Sequence, residues 1–418
     1  MRLQRKYALL KYYERNQQKS QTKFMKTGYS IRTWRMRLVC PEPIWLARTE
    51  EYFQNVVEFY YHLLRQHEEL WNSSLFDIQR SLELLTLTGR DGRQPTNPLP
   101  MGKVPVYLRR AAINKASATV KSTQELQSGF PEKLEAKVTF FKGMYSDLTD
   151  RSICLKLWNG EKWIWTDCNL KGRPFPQDGQ LMSPTLVKEG RRYLLNIPVK
   201  QENSDARTAK ERMAEGTNLC SVRFTNTDTF AVCCILDEQG KQLAVHTCRG
   251  GDAYRHRCKL LETRIQKSRP NTVGDNSPQP NRKYYIHLKN LSEHYAHQVS
   301  REILNFCKEN QAGIIVLPDY DQNFTRMAMV KSGNFSPLHL SSKIRTNLQY
   351  KAWAEGILVL ETRTDGLKDK CAICGGKVRR KGNEFLCENG HQGNRFLNDA
   401  RNLGRKCQES FFRGSRTK

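Results

Sequence analysis

The stretch "CAICGGKVRRKGNEFLCENGH" constrains the local fold of the chain more tightly than any other stretch does. Cys371 and Cys374 form a C-x-x-C pair followed by two glycines, and thiolates at this spacing can point at one tetrahedral ion. Cys387 has no partner cysteine three residues on, and His391 is the only nearby imidazole. We therefore predict a zinc site of three cysteines and His391. Its role would be structural, because a filled tetrahedral site leaves no open position for water. The alternative is a knuckle without an ion, held by packing alone.

The residues before this knuckle alternate between strand and helix patterns. "LCSVRFTNTDTFAVCCILDEQGKQLAVHT" predicts three strands, and a basic helix and a long amphipathic helix follow it. "AGIIVLPDY" is a continuous apolar run, typical of a buried strand, and "SSKIRTNLQYKAWAEGILVLET" predicts a helix and then a strand. The resulting order, β-β-β-α-α-β-α-β with a cysteine insert and a final helix, is that of the ribonuclease-H-like nuclease fold.

The N-terminal half predicts a strand, a block of helices and then more strands. "YSIRTWRMRLVC" alternates apolar with basic residues, and amphipathic helices follow, the second of them after Pro105. From Pro131 the pattern returns to strands, with Asn159-Gly160 marking a hairpin between two tryptophan-bearing runs. This arrangement predicts a small β-barrel interrupted by an inserted helical unit.

The charge of the chain indicates a polyanionic partner. The formal net charge is +27 over 418 residues, as expected of a protein that neutralises phosphates. No apolar run is long enough to span a bilayer and no secretory signal is recognisable, so we expect no membrane partner and a reducing cytoplasm. The basic residues predicted to contact nucleic acid are Arg32, Arg35, Arg37, Arg109, Arg110 and Lys121.

Several phrases, in their shared order, resemble one family. They are "VPVYLRRAAINKASATVKS", "YKAWAEGILVLE", "CAICGG" and "NDARNLG". The chain resembles the TnpB nucleases of insertion elements and the compact type V CRISPR effectors nearly end to end. The resemblance implies an α+β multidomain protein: a wedge β-barrel with an inserted helical recognition lobe, then an RNase H-like RuvC domain with an inserted zinc ribbon. The implied boundaries are a basic extension (1–28), the wedge barrel (29–45 and 131–200), the helical lobe (46–130), a linker (201–217), the RuvC-like domain (218–366 and 393–418) and the ribbon (367–392).

The resemblance also locates three carboxylates that family members use to hold Mg²⁺, a hard cation that requires anionic oxygen ligands. One ends the first RuvC strand, one ends the later buried strand and one precedes the last helix. Arg223, Pro318 and Phe396 stand at these positions in this chain. None of these side chains offers a metal ligand, so the resemblance implies no catalytic residues and no catalytic Mg²⁺.

A shifted register would place Asp228, Asp319 and Asp399 at the site instead. Asp228 lies beyond the strand end, and Asp319 should project to the opposite strand face. Asp399 is one helical turn beyond Phe396 and is the best surviving candidate. One carboxylate does not hold two metal ions. The simultaneous absence of all three acids from the implied positions therefore favours an inactive nuclease site.

The resemblance then implies an RNA-guided DNA-binding protein of the prokaryotic cytoplasm, associated with the nucleoid, that does not cut. Its expected partners are a guide RNA, double-stranded target DNA and a recruited protein such as a polymerase factor or a transposition protein. One alternative is an active metal-dependent RNA-guided endonuclease with a displaced set of acids. The other is an RNA-binding transposition accessory protein that uses no guide.

Overall fold

A computed structural model describes residues 28–413 except 90, 177, 204, 206, 269–280 and 321–335. The predicted extension (1–28) therefore lies almost wholly outside the described residues, as does most of the loop "PNTVGDNSPQPNRK". The described residues divide into two compact units, one of residues 31–201 and one of residues 202–413 together with 28–30. Among the described helices, none is long and apolar enough to cross a membrane.

The first unit contains a seven-stranded sheet and three helices. Its strands are β1 (Tyr29–Val39), β2 (Tyr145–Ser146), β3 (Ser152–Trp158), β4 (Trp163–Lys171), β5 (Gln180–Leu181), β6 (Thr185–Glu189) and β7 (Arg192–Glu202). They pair in the order β2-β3-β4-β1-β7-β5, and β6 also pairs with β7. The predicted hairpin at Asn159-Gly160 joins β3 to β4, and Gly160 has the positive φ of +114° that such a turn requires. The segment just before β2 also pairs with β6, since the amides of Leu186 and Phe140 donate to the carbonyls of Val138 and Pro184, both at 2.8 Å. The sheet therefore curls round, and its closure into a barrel stays a prediction.

The helices of this unit pack on the sheet through one shared core. They are α1 (Pro43–Gln66), α2 (Leu75–Thr86) and α3 (Val106–Glu125). Ser74 caps α2, because its side chain accepts a hydrogen bond from the Asp77 amide. Buried residues of β1, such as Met36, lie in the same hydrophobic cluster as Phe53 of α1 and Leu155 of β3. The strands and helices of this unit therefore share one hydrophobic core.

The second unit is a five-stranded mixed sheet with helices on both faces. Its elements are α4 (Ala209–Ala214), β8 (Leu219–Phe224), β9 (Thr229–Leu236), β10 (Gln242–Arg249), α5 (Gly251–Lys267), α6 (Arg282–Glu309), β11 (Ile314–Asp319), α7 (Leu340–Trp353) and β12 (Leu358–Arg363). The sheet order is β10-β9-β8-β11-β12, with β11 parallel to both of its neighbours. The predicted β-β-β-α-α-β-α-β order from β8 to β12 is confirmed.

Three short strands and the last helix complete this unit. They are β13 (Val378–Lys381), β14 (Glu384–Cys387), β15 (Gln392–Asn394) and α8 (Arg395–Arg413). The three strands form their own antiparallel sheet around the cysteine knuckle. A Cβ atom at Gly404 of α8 would lie 2.5 Å from Leu236 and 3.0 Å from Leu219. Glycine at position 404 therefore lets α8 approach β8 and β9 closely. This close approach fixes the position of the first turns of α8.

The segment predicted as a linker, 201–217, is a packed part of the second unit. α4 begins with a capping box in which Thr208 and Glu211 satisfy each other's backbone amides. Arg212 is 1% exposed and donates hydrogen bonds to the carbonyls of Gly313 (2.8 Å) and Gly356 (2.6 Å). The prediction of a linker is wrong here. The polar composition of the segment does not reveal that one of its arginines is buried and donates hydrogen bonds to buried carbonyl groups.

Candidate functional site

The four predicted zinc ligands converge in the structure. Cys371, Cys374, Cys387 and His391 each offer one ligand atom, and these atoms all lie within 4.8 Å of one another. The Sγ atoms of Cys374 and Cys387 are 3.3 Å apart. Cys371 and Cys387 are buried, and the turn after the first pair closes through a hydrogen bond from the Cys371 amide to the Gly376 carbonyl (2.8 Å). We call residues 371–391 the knuckle segment.

The chemistry of these donors fits a zinc ion. Nδ1 of His391 is buried without a hydrogen-bond partner, as expected of a nitrogen oriented for a metal. The backbone amides of Ile373 and Asn389 donate to the sulfurs of Cys371 and Cys387, each at 3.4 Å. A hydrogen bond from the Asn389 side chain, with a further one from the backbone, lowers the pKa of Cys374 to about 6, so this sulfur favours the thiolate that zinc requires. Bound here, zinc would hold the knuckle segment together.

Arg223, at the first position implied for a metal-binding acid, forms an ion pair and a hydrogen bond within the protein. Its Nε lies 3.2 Å from Oδ2 of Asp399, and its Nη1 donates to the Tyr320 hydroxyl at 2.6 Å. Nη2 of Arg380 donates to Oδ1 of the same aspartate at 2.5 Å. We call Arg223, Asp399, Arg380 and Tyr320 the arginine–aspartate cluster. The side chain of Asp399 is 1% exposed and that of Arg223 is 11% exposed, so both charges are nearly removed from water.

Four elements of the second unit contribute to this cluster. Arg223 lies near the end of β8, Tyr320 directly follows β11, Arg380 is in β13 and Asp399 is in the first turns of α8. Burial raises the pKa of Tyr320 above its usual value, so the phenol stays protonated and can accept from Arg223. One carboxylate faces two guanidiniums, and the resulting excess of positive charge disfavours a divalent cation.

The other two positions implied for metal-binding acids are apolar and buried. Val316 of β11 pairs with Ser221 of β8, so Pro318 and Arg223 lie two residues farther along neighbouring parallel strands. This places Pro318 beside the cluster, as the resemblance implies. Phe396 is 9% exposed at the start of α8, where the Arg395 guanidinium lies 4.6 Å from the centre of its ring.

The alternative carboxylates do not meet. Asp228 lies in the turn between β8 and β9, where its Oδ1 accepts from the amide of Asp252 at 3.1 Å. Asp319 lies near Glu361 of β12, and burial, with a smaller contribution from Asp319, raises the pKa of Glu361. Asp399 is held by the two arginines. In the part of the chain that the structure describes, Asp228, Asp319 and Asp399 belong to no group of ligand atoms that could share a metal ion.

The residues predicted to contact nucleic acid fall into three classes: exposed, buried and partly engaged. Arg35 and Arg37 are exposed on β1, although Arg35 forms an ion pair with Glu189. Arg109 is 7% exposed and donates to Glu83 at 3.0 Å, so it is not available to a phosphate at the surface. The prediction that Arg109 contacts nucleic acid is therefore corrected. The sequence of an amphipathic helix does not reveal which of its arginines pairs with an acidic residue inside the unit.

The remaining three predicted contacts are partly engaged within the same unit. Arg110 shares Glu83 at 3.3 Å while its side chain remains 44% exposed. Nζ of Lys121 donates to the Ser73 carbonyl at 2.8 Å. Arg32 is half-buried on β1. Their role in binding nucleic acid stays a prediction.

Sequence reasoning missed Tyr320 and Arg380 as members of the cluster. Nothing in the sequence around "PDY" or "VRRK" marks them, because they meet Arg223 and Asp399 only after the sheet and the knuckle segment have formed. All thirteen cysteines lie in described residues, none of them forms a disulfide, and most of them are buried.

Comparisons with known proteins agree with the fold. The Aq_aa04 family matches residues 30–159. No curated protein matches the sequence. A Cas12f1–sgRNA–target DNA complex superposes with a TM-score of 0.52 at 12% identity, covering 86% of this chain and 81% of that chain. The mini-RNA-guided endonuclease CRISPR-Cas_phi3 superposes with a TM-score of 0.50 at 9% identity, covering 90% of this chain and 92% of that chain. The chain therefore has the fold of the compact type V, TnpB-like effectors.

Proposed function

We propose that this protein is an RNA-guided DNA-binding protein that finds its target by guide pairing and a short flanking motif and does not cleave it. The arginine–aspartate cluster is the observation that carries this proposal. The chemistry of DNA hydrolysis by two metal ions needs carboxylates that are free to coordinate them. Here an arginine, a proline and a phenylalanine stand at the three positions, and Asp399 is bound by two arginines.

The charge and the fold support the nucleic-acid part of the proposal. A net charge of +27 suits a protein that holds both an RNA and a DNA backbone. The Cas12f1 structure with a similar fold is a complex with a guide RNA and target DNA. Specificity in such complexes comes from base pairing, while the protein recognises the heteroduplex shape and the flanking motif. Binding without hydrolysis would let the protein obstruct transcription or recruit a polymerase factor or a transposition protein.

The deciding experiment uses the protein purified together with its native RNA. Sequencing that RNA identifies the guide, and a library of flanking sequences identifies the motif. The loaded complex is then given a matched duplex in Mg²⁺ and, separately, in Mn²⁺. We expect a shifted complex and an open R-loop, with both DNA strands intact after hours. A duplex mismatched next to the flanking motif is the control, because mismatches there abort binding.

Two results would contradict the proposal in different ways. Guide-dependent cuts that disappear in Asp399→Ala would show that Asp399 serves in a displaced active site. The absence of a discrete co-purifying RNA, together with no binding to any matched duplex, would favour an RNA-binding protein that uses no guide.

A further inference from the structure

A second group of metal-ligating side chains lies in the second unit, apart from the knuckle segment. His246 and Cys248 are two residues apart on β10 and so point to the same face of the sheet. Glu302 on α6 faces them. One ligand atom from each of the three residues lies within 4.8 Å of the other two. Nε2 of His246 is 2.6 Å from a carboxylate oxygen of Glu302.

The surrounding structure holds the three side chains in place. The His246 ring lies 5.2 Å from the ring of Phe306, which is one helical turn after Glu302 on the same helix. Cys248 is fully buried, and the side chains of His246 and Glu302 are about one-third exposed at 34% and 32%. The group thus has a buried sulfur at its base and two ligands at an opening to solvent.

We propose that His246, Cys248 and Glu302 bind a second zinc ion. Zinc accepts imidazole nitrogen, thiolate sulfur and carboxylate oxygen at about 2.0–2.3 Å, and three protein ligands leave the fourth position to water. A thiolate and a carboxylate together neutralise the charge of Zn²⁺, so the filled site places no net charge at the edge of the core. The ion would tie the edge strand β10 to α6, and this role does not depend on a guide RNA or on DNA.

The competing account is an ion pair between His246 and Glu302 with no metal. An ion pair this exposed contributes little to stability, because solvent screens it. In that account Cys248 is a buried core thiol beside Cys233 and Glu302, whereas zinc uses all three groups as ligands. The two accounts differ in the number of ions that the chain holds, which can be counted.

The test counts zinc in the full-length protein, purified without chelator and washed free of loosely bound metal. We expect two zinc ions per chain in the wild type, and one in Cys248→Ser and in Glu302→Gln. Glu302→Gln guards against misfolding, since its side chain is partly exposed. The matched control is Cys234→Ser, which removes a buried thiol from the opposite face of the same sheet and should keep both ions.

Cobalt replacement separates the two sites. Cys374→Ser should leave one cobalt ion whose thiolate charge-transfer absorption disappears when Cys248→Ser is added. One zinc ion per chain in the wild type, with a cobalt spectrum unchanged by Cys248→Ser, would overturn the proposal and leave the ion pair alone. Neither readout uses RNA or DNA, so failure here is distinct from failure of RNA-guided binding.

Discussion

The knuckle segment and the arginine–aspartate cluster lie in the same unit, and Arg380 belongs to both. In the knuckle segment, three sulfurs and one imidazole face one another. In the cluster, a carboxylate that could face a metal is paired with Arg223 and Arg380. One unit therefore holds the donor set of a structural metal beside a buried carboxylate that is paired with protein cations.

The physical difference lies in what each site needs from its neighbours. A structural zinc site needs only its own four ligands, which local spacing supplies. A catalytic pair of Mg²⁺ ions needs several anionic ligands from distant strands. A carboxylate that is buried without a metal ion needs another counter-charge, because burying an unpaired charge is costly. Arg223 and Arg380 provide that counter-charge for Asp399.

The largest expected effect is loss of the zinc knuckle. Cys374→Ser should release one zinc ion and remove the hydrogen-exchange protection of residues 371–391. Loss of a structural metal is among the changes that exceed about 4 kcal/mol in stability. Zinc content and hydrogen exchange measure it, and Cys154→Ser, a partly exposed thiol outside the knuckle segment, is the control. A variant that keeps its zinc and its protection would mean that packing alone holds the knuckle segment.

The next effect comes from breaking the cluster. Asp399→Ala leaves two guanidiniums, one of them 11% exposed, without their carboxylate, and removing one partner of a buried pair costs about 3–5 kcal/mol. Adding Arg223→Met to this variant should recover much of the loss, because an apolar side chain then replaces the uncompensated charge. Chemical denaturation of the four proteins gives the coupling energy. A double variant as unstable as the sum of the two single variants would show that the pair is not coupled.

A smaller effect is expected from Arg380→Ala, which removes the partner that the knuckle segment supplies to Asp399. The Arg380 side chain is 22% exposed and Asp399 keeps Arg223, so we expect a loss of about 1.5–3 kcal/mol, as for a hydrogen bond to a charged group. Zinc content should not change, which separates this variant from Cys374→Ser. Loss of zinc in Arg380→Ala would instead mean that the cluster supports the metal site.

The smallest effect concerns pH. Burial raises the pKa of Glu361 above its usual 4.5, so its contribution to stability is present below that pH and is lost as pH rises through the folded pKa. Relative to Glu361→Gln, the wild type should therefore lose stability as pH rises above the usual pKa of about 4.5, while its ion pair with Arg345 opposes part of that loss. The zinc site has the opposite sign, because acid protonates its ligands. Melting curves recorded at several pH values test both predictions. If the stability of the wild type relative to Glu361→Gln rose with pH, the raised pKa of Glu361 would be contradicted.

Some of these features could be predicted because they depend on residues close together in the chain. The C-x-x-C pair, the hairpin at Asn159-Gly160 and the order of strands and helices follow from local spacing, turn chemistry and apolar periodicity. The mismatch at Arg223, Pro318 and Phe396 also follows from the sequence, once the resemblance fixes where acids should stand.

Other features were decided only by the tertiary structure. Arg223 and Asp399 are 176 residues apart, and their pairing depends on the close approach of α8 to β8. The buried Arg212 and the group of His246, Cys248 and Glu302 likewise join residues from separate elements. By itself the sequence determined which local segments form and which side chains they carry. Which charge meets which counter-charge was decided by packing, because burial is what makes an unpaired charge costly and so selects its partner.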